Sequence, residues 1–242
     1  MTGARPTPVL PRLLVLTDRR SVPAGRTLLG TIRAAVEAGA RAVVVRERDL
    51  PSAQRAALVD ACDRLMDVVG GVCIVADPDP RSAVGTPSDG LHLRAASRLH
   101  LRAASRLPAV RPDLLGRSAH SLEEVVRAAT DGLDYVTVSP VAPSPSKPGY
   151  GPALGADGLQ TLLAVAARES SRPLPHTFAL GGVDQHNCGS FLAAGAYGVA
   201  VMGAVMGAER PAEVVSDLLS ALLSALPSTL PSTPHSAPGT RT

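Results

Sequence analysis

The sequence predicts a single α/β domain folded as a (β/α)8 TIM barrel, and three observations support this. Eight short, apolar or β-branched runs alternate with Ala/Leu-rich segments of helical period, which is typical of parallel strands joined by crossover helices. The chain has 242 residues, of which 45% are hydrophobic and 19% charged, enough to bury one large core without a second domain. Aromatic residues are only 2%, so we expect a core mainly of Ala, Val, Leu and Ile.

Eight short strands are predicted. In chain order they are Leu13 to Thr17, Ala42 to Arg46, Val72 to Ala76, Gly90 to Leu93, Leu114 to Arg117, Tyr135 to Ser139, Thr177 to Leu180 and Gly198 to Met202. We expect an N-terminal extension at residues 1–12 and the barrel domain at 13–226. The Pro/Ser/Thr-rich segment 227–242 has few apolar residues to bury and is predicted to be a disordered tail.

Helix-start signals agree with this alternation of strands and helices. Ser121 and Glu124 form an S-x-x-E capping box after the fifth strand, which predicts a helix beginning there. Asp184 is predicted to cap a later helix, and Pro211 suits the first turn of the last one.

An exact tandem duplication follows the fourth strand. The sequence LHLRAASR at Leu91 to Arg98 recurs at Leu99 to Arg106, and this unit is too short for a solenoid repeat. The first copy reads as a strand end whereas the second must be helix or loop, so we expect local distortion here. We interpret the repeat as a duplication tolerated in a surface crossover.

Charge and cysteine content exclude several classes of protein. The formal net charge is +3, but Lys147 is the only lysine and the arginines are scattered, so nucleic acid is not an expected partner. Cys62, Cys73 and Cys188 are odd in number and widely spaced, which indicates reduced core thiols. No apolar run is long enough to span a membrane, and the start lacks the apolar core of a signal peptide. We expect a cytoplasmic enzyme or binding protein.

The stretch DYVTVSPVAPSPSKPGYGPALG, residues 134–155, is the most informative part of the chain. A strand runs there into a loop stiffened by prolines, where Ser144, Ser146 and Lys147 offer two hydroxyls and an ammonium suited to an anionic ligand. Taken alone, the segment favours a rigid surface turn with a solvated lysine. Its place after the sixth strand favours a ligand site, because such barrels bind at the carboxyl ends of their strands.

Glycines and a carboxylate follow three other strands. Gly181 and Gly182, with Gly203 after the eighth strand, are predicted to bind phosphate through backbone N–H groups. A tight turn with positive φ is the alternative reading of the glycine pair. Asp77 after the third strand suits Mg²⁺, whose shell substrate phosphates and water complete, or else caps its own turn.

Polar residues also end the second and fifth strands. Arg46 and Arg48 alternate with Glu47, so both guanidinium groups can lie on one side, where they suit a pyrophosphate or form an exposed salt-bridge cluster. Ser118 and His120 follow on the fifth strand. His120 either donates to an anion or transfers protons, or it is structural beside the capping serine.

Six segments occur together in an order known from one family. They are VVVRERDL at Val43 to Leu50, DGLHL at Asp89 to Leu93, GRSAHSLEE at Gly116 to Glu124, the 134–155 stretch, FALGGV at Phe178 to Val183 and AGAYGVAVMGAV at Ala194 to Val205. In these segments the chain resembles the thiamine phosphate synthase and TenI family of thiamine-biosynthesis barrels. The resemblance implies coupling of hydroxymethylpyrimidine pyrophosphate to a thiazole phosphate, with Mg²⁺ assistance, so small phosphorylated substrates are the expected partners.

The resemblance also implies roles for individual residues. Pyrophosphate would be bound by Arg46, Arg48 and Lys147, and Mg²⁺ would be bound by Asp77. The pyrimidine would contact Ser118. The thiazole phosphate would be bound by Ser144, Ser146, Gly182, Met202 and Gly203. Cleavage leaves positive charge on the pyrimidine methylene while pyrophosphate departs, so cations must stabilise the leaving group.

Some positions depart from the usual synthase pattern. Val44 stands in place of Gln, Ala76 in place of Asn, and Ser97 in place of a second Mg²⁺-binding Asp. Loss of one carboxylate is expected to weaken Mg²⁺ binding but need not abolish it, because pyrophosphate supplies oxygens, and the weaker site could remove catalysis.

Two alternatives to the synthase stay open. A TenI-like thiazole tautomerase tolerates loss of the pyrophosphate site, but Pro140 stands where some tautomerases have His, so His120 or Glu47 would have to transfer the proton. A barrel that binds thiazole phosphate or thiamine phosphate without turnover, as a regulator, is the other. The oligomeric state is open, a homo-oligomer included.

Overall fold

A computed structural model describes residues 10–76, 88–95, 113–144 and 152–226. Eight parallel strands form one closed barrel, in which each strand pairs with its neighbours in sequence and β1 pairs with β8, so the predicted fold class is confirmed. The strands are β1 (Leu13–Leu16), β2 (Ala42–Val45), β3 (Val72–Ala76), β4 (Gly90–Leu93), β5 (Leu114–Ala119), β6 (Tyr135–Val138), β7 (His176–Leu180) and β8 (Gly198–Val201). The predicted bounds differ by one or two residues at most.

Helices connect the strands and lie outside the barrel. Within the described residues they are α1 (Leu28–Glu37), α2 (Ser52–Val69), α3 (Leu122–Thr130), α4 (Gly155–Glu169), α5 (Cys188–Ala193), α6 (Gly203–Met206) and α7 (Pro211–Ser224). None of these helices has both the length and the apolar character needed to cross a bilayer. The second LHLRAASR copy and the predicted tail lie outside the described residues.

The capping box at α3 takes a shifted form. Ser121 Oγ accepts a hydrogen bond from the Glu124 backbone N–H at 3.3 Å, as predicted. The Glu124 carboxylate accepts from the backbone N–H of His120 at 2.6 Å, one residue before the cap. Pro211 occupies the first turn of α7, as predicted. Both signals therefore mark real helix starts.

The core has an inner and an outer layer because both faces of a parallel sheet are covered. Inside the barrel, short side chains such as Val44 and Ala76 lie next to longer ones such as Ile74. Outside, the alternate strand residues pack against the helices. Cys62, Cys73 and Cys188 are free and buried, which confirms them as core thiols, and burial raises the pKa of Cys62 to about 12.

The inner layer is mainly aliphatic, as predicted, and three aromatic rings lie among the aliphatic side chains. Tyr135 contacts Phe178 edge to face at a centroid distance of 5.8 Å, and Phe178 contacts Tyr197 in the same way at 5.5 Å. Gly116 makes room for the first ring, since a Cβ there would lie 2.1 Å from the Tyr135 ring. The glycine therefore makes the place of the Tyr135 ring inside the barrel possible.

A buried ion pair joins β5 to the end of α3. Arg117 is 1% exposed and donates to the Asp131 carboxylate at 2.8 Å, while its buried Nε has no hydrogen-bond partner in the part of the chain that the structure describes. Removing one member of such a pair leaves the other charge uncompensated, which costs more than an exposed pair contributes. Asp131 therefore anchors α3 to the barrel wall.

We expect Asp131→Asn to lower the free energy of unfolding by about 2–3 kcal/mol, because Arg117 keeps its charge in a dry site. The matched control is Glu213→Gln, which breaks the exposed Arg210–Glu213 pair and should change stability by less than about 1 kcal/mol. Urea unfolding measures both values. Equal losses in the two variants would contradict the anchoring role.

Candidate functional site

A cavity of about 990 Å³ opens at the carboxyl ends of the strands. All predicted site residues in the described part of the chain line it, and they are Arg46, Arg48, Ser118, His120, Ser144, Gly181, Gly182, Met202 and Gly203. Asp77, Ser146 and Lys147 lie outside the described residues, as does Ser97. The barrel therefore gathers into one cavity residues that come from five of its strand ends.

Arginines give the cavity a positive charge. Arg46 and Arg48 line it from the end of β2, and Arg94 joins them from the end of β4. The backbone N–H of Arg46 donates to Thr17 Oγ1 at 2.9 Å, and its guanidinium reaches past the end of β1 to Met202 Sδ at the end of β8. Arg94 was not predicted, although its place directly after a strand was a usable signal.

The carboxylates beside these arginines are held by other arginines. Glu47 is buried and accepts from Arg19 through its backbone N–H at 3.1 Å and its guanidinium at 2.9 Å. Asp49 accepts two hydrogen bonds from Arg19, at 2.6 and 2.7 Å, and one from Arg20. The Arg19 guanidinium holds the pKa of Asp49 well below its usual range. A salt-bridge cluster therefore forms between these two carboxylates and the arginines of the β1–α1 loop, whereas Arg46 and Arg48 line the cavity.

Backbone N–H groups are available on one side of the cavity. Gly181 and Gly182 have φ values of +97° and +67°, which favour glycine. A Cβ on Gly182 would lie 2.3 Å from the carbonyl oxygen of Pro143, so only glycine fits. The amides of Gly182 and Gly203 donate to no acceptor within the described residues. This arrangement suits a phosphate.

Asp184 caps the turn that leads into α5, whereas α5 itself begins only at Cys188. The Asp184 carbonyl oxygen accepts from the Cys188 N–H at 3.0 Å, and its Oδ1 accepts from the backbone N–H groups of His186 and Asn187, at 2.8 and 3.1 Å. Asn187 in turn accepts from the Asp184 N–H and donates to the carbonyl of Gly182 at 2.8 Å. These contacts hold the turn that follows the glycine pair and fix the pair in place.

The loop after β6 is fixed at its base. Val141 N–H donates to the Leu180 carbonyl at 3.0 Å, and Ala142 N–H donates to the Gly181 carbonyl at 2.9 Å. These bonds extend the β6–β7 pairing beyond the strands. They bring Ser144 to the cavity beside the glycine pair.

Ser118 lies above a buried polar pair inside the barrel. Its Oγ is 2.9 Å from His92 Nε2, and His92 Nδ1 is 3.1 Å from the Tyr135 hydroxyl oxygen. Burial lowers the pKa of His92 to about 3, and the charges of Arg46 and Arg48 act in the same direction. The sequence prediction missed His92 and Tyr135, although their alternation with apolar neighbours placed both on one face of a strand.

His120 is exposed at the rim and holds the end of β6. Its Nδ1 is 2.8 Å from the carbonyl oxygen of Ser139, so Nδ1 carries the hydrogen and Nε2 is the basic nitrogen. The ring lines the cavity next to Pro140. This geometry allows a structural role and proton transfer alike.

The described residues do not supply a site for Mg²⁺. They contain no group of three or more metal-ligating side chains. Asp184 is the only acidic residue of the described part that lines the cavity, and backbone N–H groups occupy its Oδ1. The assignment of Asp77 as a metal ligand therefore rests on the sequence pattern alone.

Known proteins match this fold and this order of segments. Residues 13–205 match the family model described as thiamine monophosphate synthase, so the chain belongs to that family. The thiamine-phosphate synthase of Methanoculleus marisnigri is 36% identical over 193 residues, covering 79% of this chain and 86% of that protein. That of Roseiflexus castenholzii is 34% identical over 190 residues, covering 78% of each chain. The thiamine phosphate pyrophosphorylase of Pyrococcus furiosus superposes with a TM-score of 0.71 at 26% identity, over 89% of this chain and 97% of its own.

Gly182→Ala tests the glycine pair. We expect it to remove most of the rise in melting temperature that inorganic phosphate gives to the unaltered protein, because the added Cβ collides with the Pro143 carbonyl. Gly70→Ala is the matched control, since Gly70 has a φ of +61° and no atom within 4 Å of an added Cβ. It should cost about 1 kcal/mol of stability and keep the phosphate effect. An unchanged phosphate effect in Gly182→Ala would exclude this location.

Proposed function

We propose that this protein is a thiamine phosphate synthase. It couples hydroxymethylpyrimidine pyrophosphate with hydroxyethylthiazole phosphate to give thiamine phosphate and pyrophosphate. The observation that carries the proposal is the single cavity that joins a cationic side, formed by Arg46, Arg48 and Arg94, to the amide-rich turn at Gly182. A reaction between two phosphorylated substrates needs two such anion sites.

The two sides of the cavity suit different anions. Guanidinium groups bind pyrophosphate through paired hydrogen bonds, and we assign the leaving group to Arg46 and Arg48, together with Lys147. Backbone N–H groups suit a phosphate monoester, and we assign the thiazole phosphate to Gly182 and Gly203. The reacting methylene carbon of the pyrimidine and the reacting nitrogen of the thiazole then lie between the sites, near Ser118.

The chain's own residues stabilise charge separation in the reaction. The bond from the pyrimidine methylene carbon to the pyrophosphate oxygen breaks, and the electron pair leaves with pyrophosphate. The thiazole nitrogen donates its lone pair to that carbon. The arginines are placed before the reaction starts, so they stabilise the growing negative charge without reorganising. Holding both substrates in one cavity removes the entropy cost of their encounter.

Mg²⁺ is the cofactor we propose, with Asp77 and the substrate phosphates as ligands. It would neutralise charge on pyrophosphate. Support comes from the family pattern of the sequence alone, since Arg19 engages Glu47 and Asp49 and a backbone N–H engages Asp184. The positive charge of the three cavity arginines also neutralises charge on pyrophosphate.

A thiazole tautomerase is the second candidate, and His120 favours it. The hydrogen bond from Nδ1 to Ser139 fixes Nε2 as a base beside the cavity. That base lies next to Pro140, the position at which some family tautomerases have a histidine. Glu47 is a poorer candidate because Arg19 engages both of its carboxylate oxygens.

Purified protein, both synthase substrates and Mg²⁺ should yield thiamine phosphate and pyrophosphate in equal amounts. Chromatography detects thiamine phosphate, and an assay coupled to inorganic pyrophosphatase detects pyrophosphate. Absence of both at high enzyme concentration would sink the synthase proposal. Aromatisation of the thiazole carboxylate phosphate tautomer would then support the tautomerase. Ligand-induced thermal stabilisation without either reaction would indicate a binding protein.

Arg46→Ala should weaken pyrophosphate binding by at least about tenfold, because a charge-assisted hydrogen bond in a partly buried site is lost. Calorimetric titration with pyrophosphate measures this. The matched control is Arg64→Ala on the outer face of α2, where Arg64 pairs only with Asp60 in an exposed contact. The affinity of the Arg64→Ala variant for pyrophosphate should not change. Equal effects of both variants would point to net charge rather than a pyrophosphate site.

A further inference from the structure

Tyr135 and His92 form a buried line of hydrogen bonds with Ser118. Tyr135 is 0% exposed and His92 3%. His92 and Ser118 line the cavity, whereas Tyr135 lies beneath them in the barrel. The line therefore connects the closed interior to the ligand site.

Strand register builds this line into the fold. His92 on β4 pairs with Gly116 on β5, and Gly116 pairs with Tyr135 on β6. Because the middle position has no side chain, the outer two rings meet across β5. Their centroids are 5.5 Å apart and their planes differ by 25°.

Only one direction of donation along this line gives the hydroxyl hydrogen of Tyr135 an acceptor. Both rings are neutral, because burial raises the pKa of Tyr135 and lowers that of His92. Tyr135 has no hydrogen-bond partner other than His92 in the described part of the chain, so its O–H donates to Nδ1. The reverse direction would bury a phenolic hydrogen without an acceptor. His92 Nε2–H then donates to Ser118 Oγ.

We propose that Tyr135 and His92 are positioning residues that make Ser118 a hydrogen-bond donor toward the cavity, selecting a ligand ring with an acceptor nitrogen. Ser118 Oγ already accepts from His92, so its hydrogen is directed elsewhere. The hydroxyl opposite it in register, Thr137 Oγ1, is buried and has no hydrogen-bond partner among the described residues, so it does not take this hydrogen. A ring nitrogen of an aminopyrimidine, with its in-plane lone pair, fits this donor.

The identity of the ring rests on the proposed function, but the direction of the hydrogen bonds does not. Long-range ¹H–¹⁵N correlation spectra of the ligand-free protein report the tautomer of His92, and a His92→Gln sample assigns its signals. We expect the Nε2–H tautomer, unchanged between about pH 5 and pH 8. Tyr135→Phe should give a mixture of tautomers. An Nδ1–H tautomer or a protonated ring in the unaltered protein overturns the proposal.

A double-mutant cycle tests the effect on the ligand. Tyr135→Phe should raise KM for the pyrimidine pyrophosphate about tenfold while KM for the thiazole phosphate stays constant. In a Ser118→Ala background it should add little, because the line acts through Ser118. Additive losses would overturn the proposal.

Tyr197→Phe is the matched control. It removes the same hydroxyl at the opposite end of the barrel, where Tyr197 donates to the Leu10 carbonyl. It should cost stability and leave both KM values and the His92 tautomer unchanged; a KM effect equal to that of Tyr135→Phe would assign both to packing and overturn the proposal. A protein that makes no thiamine phosphate would refute the proposed function, while the tautomer of His92 would still decide this inference.

Discussion

Pairing between β1 and β8 closes the sheet, and every functional feature of the molecule depends on that closure. Since all strands are parallel, closure places their carboxyl ends on one rim. Arg46 and Met202 are 156 residues apart in the chain, yet the guanidinium of the first contacts the sulfur of the second. An open sheet would put these strands far from each other. The site is therefore a property of the ring of strands rather than of any one loop.

A set of ion pairs separates negative from positive side chains at the rim of the barrel. Arg19 and Arg20 bind the carboxylates of Glu47 and Asp49, which would otherwise neutralise the neighbouring arginines of the same short segment. Alternation along the chain at the end of β2 makes this possible, because successive side chains point to opposite sides. One side keeps the acids with their partners and the other presents cations to the cavity.

The sequence predicted the strands well because strands buried on both faces are short, unbroken apolar runs. It also predicted the cavity, since residues directly after strands share a rim. It did not predict the contact between His92 and Tyr135, because that contact depends on register across three strands and on a glycine between them. Asp184 caps a turn as its side chain predicted, but the regular part of α5 begins only at Cys188, which the capping residue alone did not indicate. The roles of Asp77, Ser146 and Lys147 stay predictions.

Gly116 carries no functional group, yet it constrains how this site can evolve. A tyrosine is compatible with position 135 only while position 116 lacks a Cβ, since the ring occupies that space. A lineage that acquires alanine at 116 must first accept a smaller residue at 135, and His92 then loses its buried partner. The reverse order passes through an overpacked intermediate. Positions 116 and 135 are therefore expected to evolve together, because the glycine at 116 determines whether a tyrosine can be kept at 135.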